Sequence, residues 1–232
     1  MYQKLKESEE VKDDFVHIAA HELRTPIQPI LGLADILRSK KIDDTEAEYL
    51  DAIIRNAKRL QRLTEDILDA TRIESKSLDL KKESFNLTEL ILSAIVDSNN
   101  QVAKERKDNL KLEFIGPKVN IFIEADKGRI NQVISNLLSN AIKFTNEGTI
   151  GVTVVEGNNE IVVSISDTGR GIDSEILPRL FTKFATKSTT GTGLGLFISK
   201  SIIDAHGGKI WGKNNYPEGK GATFGFSLPL HN

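Results

Sequence analysis

A chain of 232 residues, 39% hydrophobic and 28% charged, has the composition of a folded globular protein and the length for one large domain or two ordinary ones. Its formal charge of -2 shows no basic excess, which argues against nucleic acid as the main partner. With no cysteine it builds neither disulfides nor cysteine metal sites, and no window approaches the roughly 18 apolar residues of a membrane span. No signal peptide precedes the first helix, so the chain as given is expected to be cytoplasmic, reaching a membrane only through a region upstream of it.

Met1 to Asp14 is charged and helix-prone, with only Tyr2, Leu5 and Val11 at core-like positions, and is expected to end an upstream signalling helix. From Phe15 to Arg38, helical spacing puts Phe15, Ala19, Leu23, Ile30, Leu33 and Leu37 on one stripe. His21 points roughly 150° away from its middle, toward solvent. Taken alone, that describes an ordinary surface histidine. Its neighbours narrow the choice: Glu22 is adjacent, Thr25 follows one turn on, and Pro26 and Pro29 sit inside the helical pattern. Proline lacks an N–H and crowds the carbonyl four residues back, which predicts a bend just after the histidine.

Polar Ser39 to Thr45 breaks the stripe and offers Asp44 or Thr45 as an N-cap. A second helix follows, with Leu50, Ile53, Ile54, Ala57, Leu60, Leu63, Ile67 and Leu68 at three- and four-residue spacings. A two-helix hairpin over 15–74 has too little core to stand alone. Pairing two copies into a four-helix bundle would bury both stripes, and packing against the rest of the same chain is the alternative.

A charged linker is expected over 75–84. Beyond it, Leu87 to Lys104 reads as a helix capped by Asn86, and Leu110 to Ile115 and Val119 to Glu124 as strands flanking Gly116-Pro117. Arg129 to Phe144 reads as a helix, and Ile150 to Val155 with Glu160 to Ser166 as a hairpin around Gly157-Asn158-Asn159. Asp173 to Thr192 is long, polar and bounded by glycines, the signature of a lid. Gly195 to Ala205 is helical, and Lys209 to Gly212 and Thr223 to Pro229 close the domain as strands. Helices and strands without strict βαβ alternation predict an α+β sandwich over 85–232.

Four clusters in this half have a use for a nucleotide. Asn136, Asn140 and Lys143 share a helical face, where amide oxygen suits the all-oxygen shell of Mg²⁺ and a lysine neutralises phosphate. Asp167-Thr-Gly169-Arg-Gly171-Ile172 follows a strand, and a carboxylate there would accept from the amine of adenine. By itself the same stretch is equally a type I turn. Gly191-Thr192-Gly193-Leu194-Gly195-Leu196 opens a helix, where backbone N–H groups bind phosphate. It is not a Rossmann fingerprint, since Leu196 stands where the third glycine would fall. Gly219-Lys-Gly221-Ala-Thr223-Phe224 alone reads as a hairpin turn.

His21-Glu22-Leu23-Arg24-Thr25-Pro26, six consecutive positions, resembles the H-box of the sensor histidine kinases of two-component systems. The four clusters, in order, resemble the N, G1, G2 and G3 boxes of the Bergerat ATP-binding fold, and Leu180 to Phe184 resembles the F-box between them. The resemblance implies a helical dimerisation and phosphotransfer hairpin followed by an α/β-sandwich ATP-binding domain, acting as a homodimer on a response regulator. It implies His21 as phosphoacceptor, Glu22 as its proton partner, and Thr25 as a position linked to regulator dephosphorylation. Asn140 would ligate Mg²⁺, Asn136 and Lys143 contact phosphates, Phe144 wall the base pocket and Asp167 read adenine. Gly193, Leu194 and Gly195 would meet the phosphates at the lid hinge, Lys187 within the lid would reach the γ-phosphate, and Gly169, Gly171, Ile172, Phe184, Thr192, Leu196 and Thr223 would also belong to the nucleotide site. ATP and Mg²⁺ are the implied cofactors.

Two other functions stay open at this point. One is an ATP-hydrolysing clamp like gyrase or MutL, in which a glutamate four residues before the metal-binding asparagine activates water; here that position is Asn136. The other is a catalytically dead dimeric scaffold, which would need a broken box, and none is broken.

Overall fold

A computed structural model describes residues 27–38, 43–75, 77–102, 109–116, 119–157, 159–186, 192–216 and 219–230. The chain divides into two compact units, Met1–Leu78 and Asp79–Asn232.

In the first unit, helix α1 covers 27–38 and α2 covers Asp44–Glu74. The cap of α2 is Asp43, not Asp44 or Thr45. Its carboxylate accepts from Glu46 N–H at 2.8 Å and Glu46 accepts from Asp43 N–H at 3.2 Å, a reciprocal box that only a residue three before the glutamate can close. The helices meet through Ala34, Leu50 and Ile54, with Leu31 against them. Ile27 and Ala34 are buried, whereas Ile30, Leu33 and Leu37 of the expected stripe are 46%, 62% and 46% exposed. The first helix therefore carries two apolar seams, and the chain itself covers the one through Ile27, Leu31 and Ala34. The bend expected after His21 lies outside the described residues.

The second unit holds strands β1 (Glu83–Asn86), β2 (Leu110–Phe114), β3 (Phe122–Ala125), β4 (Gly148–Glu156), β5 (Glu160–Asp167), β6 (Lys209–Asn214) and β7 (Ala222–Pro229). Its helices are α3 (Leu87–Gln101), α4 (Lys127–Phe144) and α5 (Gly195–Ala205). The main sheet runs β2-β4-β5-β7-β6, parallel between β2 and β4 and antiparallel elsewhere. Alternation on β5 buries Ile161, Val163, Ile165 and Asp167, opposite Phe224, Phe226 and Leu228 on β7. Helices α3, α4 and α5 pack together and onto the sheet, bringing in Leu87, Ile91, Ile130, Ile134, Leu137, Leu138, Ile198 and Ile202, each worth about 1.5–3 kcal/mol on burial.

Three expectations are corrected. Residues 83–86, assigned in part to the linker, form β1 and pair antiparallel with β3, a partner some forty positions away that no local pattern announces. Helix α3 stops at Gln101 because Val102 turns extended and is buried. Helix α4 begins two residues early, its N-terminus capped by Asp126, which accepts from Arg129 N–H at 3.0 Å.

Candidate functional site

The end of β5 places a carboxylate where sheet and helices meet. Asp167 is only 3% exposed. Its Oδ1 accepts from Gly169 N–H at 2.9 Å and from Ala222 N–H at 3.3 Å. Burial pushes the carboxyl above the ordinary Asp value, opposed by those two donors and by the Thr145 hydroxyl. The chain must double back tightly here. A Cβ on Gly169 would collide with the Phe144 carbonyl, which accepts from Arg170 N–H at 3.3 Å, and one on Gly221 would collide with the Asp167 carbonyl. Gly171 takes a left-handed φ of 77°.

Two asparagines that sequence reasoning did not single out hold this turn. Asn214 accepts from Ile172 N–H at 2.6 Å and donates to Ile172 C=O at 2.9 Å, a two-point grip on the backbone. Asn215 donates to the carbonyls of Asp167 and Lys220, both at 3.0 Å. The paired amides beside a glycine-rich turn were the available signal. Thr223 is not brought to Asp167. Strand alternation sends it to the other face of the sheet, where its hydroxyl lies 2.9 Å from Ser166 Oγ and 2.7 Å from Asn215 Oδ1. The turn contributes Ala222 N–H instead.

Along α4, Asn136, Asn140, Lys143 and Phe144 are all half-buried. Asn136 donates to Ser199 Oγ on α5 at 2.9 Å, and a side chain on Gly195 would strike its amide. Asn136 thus sits where α5 begins. That helix has no side-chain cap among the described residues; Leu194 N–H donates to Thr192 Oγ1 at 3.2 Å, and the N-terminus of a helix is a positive end suited to anions. Lys143 and Arg170 flank the Phe144 ring at 5.3 and 4.7 Å from its centroid. An open cavity of about 430 Å³ lies here, lined by Lys143, Phe144, Asn146, Glu147, Thr168, Gly169 and Arg170. Its walls join the N-box end of α4 to the G1 turn, while Asn140 and Asp167 lie outside its lining.

Of the lid expected over 173–192, residues 187–191 lie outside the described residues, and 173–186 are anchored. Ile176 and Leu180 are buried around a 3₁₀ turn at Leu177–Arg179, with Leu180 against Gly212 of β6. Phe184 N–H donates to Gly193 C=O at 3.0 Å, which ties this segment to the residues just before α5. Phe184 has a φ of 59° and is 69% exposed, a left-handed conformation that costs a bulky residue energy. His21, Glu22, Thr25 and Lys187 lie outside the described residues.

The donor set suits a magnesium nucleotide. Among the described residues no group of three or more His, Cys, Asp or Glu side chains gathers to hold a metal, so a cation at α4 would draw on amide oxygen, water and phosphate, as Mg²⁺ does. No described helix is long and apolar enough to cross a membrane.

The family model of histidine kinase-, DNA gyrase B- and HSP90-like ATPases matches residues 125–232, and that of the His Kinase A (phospho-acceptor) domain matches 11–76. Hybrid signal transduction histidine kinase B of Dictyostelium discoideum is 34% identical across 98% of this chain. The chain spans 12% to 32% of the length of the curated relatives set beside it. The structure of full-length ShkA in complex with AMPPNP superposes with a TM-score of 0.74 at 27% identity, over 94% of this chain and 46% of that one. The catalytic domain of histidine kinase ThkA gives 0.55 at 37% identity, over 64% and 95%. ThkA in complex with the response regulator TrrA gives 0.60 at 30% identity, over 99% and 65%. Both halves of the sequence and both sets of relatives agree, and the chain belongs to the histidine kinase family.

Proposed function

We propose that this chain is the core of a sensor histidine kinase: the α/β unit binds Mg²⁺-ATP, His21 receives the γ-phosphoryl group, and an aspartate of a response regulator takes it next. The observation that carries this reading is Asp167, a buried carboxylate held by two backbone N–H groups at a glycine turn, in one chain with the His21-to-Pro26 motif. That carboxylate accepts from the exocyclic amine of adenine and opposes the carbonyl of guanine. Phe144 walls the base, Asn140 offers amide oxygen to Mg²⁺, and Lys143 with the first turn of α5 faces phosphate. Magnesium supplies charge neutralisation on the triphosphate.

His21 acts as a neutral imidazole, whose nitrogen bonds to the γ-phosphorus while the bond to the β,γ-bridging oxygen breaks and ADP departs. Glu22 orients the other ring N–H and stabilises the imidazolium-like product. Thr25 positions water against a regulator's phosphoaspartate, and Lys187 reaches toward the γ-phosphate from the lid. The segment 15–74 serves as the dimerisation and phosphotransfer hairpin, with 85–232 as the ATP-binding domain. ShkA with AMPPNP and ThkA with TrrA support the nucleotide and the regulator, and the uncovered seam of α1 supports the homodimer.

Incubation with γ-labelled ATP tests the proposal. Acid-labile, base-stable label on protein is expected and lost in His21→Gln; free phosphate alone would indicate a hydrolysing clamp, and neither a scaffold. Thr25→Ala is expected to spare autophosphorylation and slow regulator dephosphorylation by about 10²-fold, and parallel loss of both would remove Thr25 from that role.

A further inference from the structure

Helices α4 and α5 run antiparallel and are fastened at two points, one midway along α4 and one at its N-terminus. Asn136 and Ser199 make one fastening, beside the N-terminus of α5. The other lies at the opposite end of the pair, about 15 Å along α4 from Asn136 at 1.5 Å per residue. There His206, the C-cap of α5, is 5% exposed, and both ring nitrogens are used. Nδ1 lies 2.8 Å from the carbonyl of Ile202, so it must carry a proton to donate. Nε2 accepts the backbone N–H of Asp126 at 3.0 Å, so it must be bare. These two partners admit a single state, the neutral Nδ1–H tautomer.

Asp126 multiplies the consequence. Its backbone N–H holds His206, while its side chain caps α4 at Arg129 and its Oδ2 accepts Lys81 N–H at 2.9 Å. One residue thus joins the segment entering the α/β unit, the start of α4 and the end of α5. Between the two fastenings lie Ile130, Val133 and Ile134 of α4 and Ile202 and Ile203 of α5, all buried. A pair so packed shifts as a body, so loosening one end is felt at Asn136 and Gly195.

We propose that His206 is a positioning residue for the nucleotide site, a clasp that holds α5 against the N-terminus of α4 while its ring is neutral and releases it when the ring is protonated. A proton on Nε2 would face the N–H of Asp126, and two donors cannot share a hydrogen bond. The charged groups facing the ring oppose one another: Lys82 disfavours its protonation and the Asp126 carboxylate favours it. Burial is the largest influence and holds the ring below the ordinary value of 6.5. The sign follows. Below 6.5 the unfolded chain takes up a proton that the folded clasp refuses, so stability is full above that pH and falls as the pH falls toward the lowered folded value.

The inference rests on the nucleotide reading above only for its binding measurement. His206→Gln offers an amide oxygen near the Nε2 position and does not titrate; His206→Ala offers no acceptor. On the whole chain at pH 7.5, a fluorescent ATP analogue is expected to bind about tenfold more weakly to His206→Ala, the worth of one buried N–H left without a partner, and within twofold of the parent to His206→Gln. Between pH 7.5 and 5 the thermal midpoint and the analogue affinity of the parent should fall more steeply than those of His206→Gln. Equal losses in the two variants, or a His206→Gln profile with the parent's acid dependence, would overturn the clasp. If His206→Ala does not fold, the comparison of parent with His206→Gln decides alone. Absence of analogue binding in every variant would sink the nucleotide reading and leave the midpoint profile to decide the clasp.

Discussion

The two units bury their apolar residues in different ways. In Asp79–Asn232, three helices cover one face of a five-stranded sheet, and Ile130, Leu138, Ile150, Val163, Ile202 and Phe226 are wholly buried within the one chain. In the helical unit Ile27, Ala34, Leu50 and Ile54 are buried, but Ile30, Leu33, Ile36, Leu37, Tyr49, Ile53 and Leu60 are exposed. A sheet with helices laid across it encloses a core, whereas two helices share a single seam and leave their other faces to water. The α/β unit therefore encloses its own core, and the hairpin leaves an apolar face exposed.

Breaking the hairpin's outer seam gives the largest expected effect. Leu33→Asp should weaken dimerisation by about 3–5 kcal/mol, the cost of a charge buried without a partner, while nucleotide binding is unchanged. Light scattering reads the mass, and a dimer as tight as the parent's would remove α1's outer seam from the interface. In the other unit, Leu137→Ala should cost about 2–5 kcal/mol at any protein concentration, because the lost contacts lie within one chain. A midpoint shift that depended on concentration would contradict that enclosure.

Asp167→Asn sharpens the comparison at the site. It keeps an oxygen for Gly169 and Ala222 N–H but replaces acceptor with donor toward the base, so ATP-analogue affinity should fall about 10–100-fold. Because burial raises the parent's carboxyl, binding should fade on acidification at a higher pH than an ordinary aspartate would allow, and the variant should be flat there. Stability runs the other way: folding favours the protonated form, so this group's contribution is present in acid and lost as pH rises through the raised value. Isothermal titration across pH separates the two, and a parent without acid dependence would remove Asp167 from base recognition. The smallest effect is expected from Arg170→Ala, which removes one cation from the exposed side of Phe144 and should cost about 0.5–1 kcal/mol in analogue affinity. No change in affinity would mean that Phe144 is held by Lys143 and packing alone.

How much was legible depended on distance along the chain. The H-box, the Asn136-to-Phe144 face and the glycine turns are runs of consecutive residues, and helical spacing sufficed to place Asn136, Asn140 and Lys143 together. The cap of α2 was also local: Asp43 with Glu46 is a capping box that the stronger polar run after it obscured. Strand β1 was not legible, because Glu83–Asn86 has no alternation of its own and exists only by pairing with Phe122–Ala125. Nor were Asn214, forty-two residues from the Ile172 backbone it grips, or the bond from Asp126 to His206, eighty residues apart.

By itself the sequence determined the division into two parts and the helical face that carries Asn136, Asn140 and Lys143, since each depends on neighbours within a few turns. Tertiary structure decided which of those residues meet. It sent Thr223 to the far face of the sheet and put Ala222 N–H on Asp167 in its place, because alternation along β7 is set by pairing with β5. It gave Asn136 to Ser199 and left two seams on one helix with a single seam covered. It joined Asp126 to His206 through a backbone N–H, a donor that every residue but proline carries and that no side-chain pattern can announce.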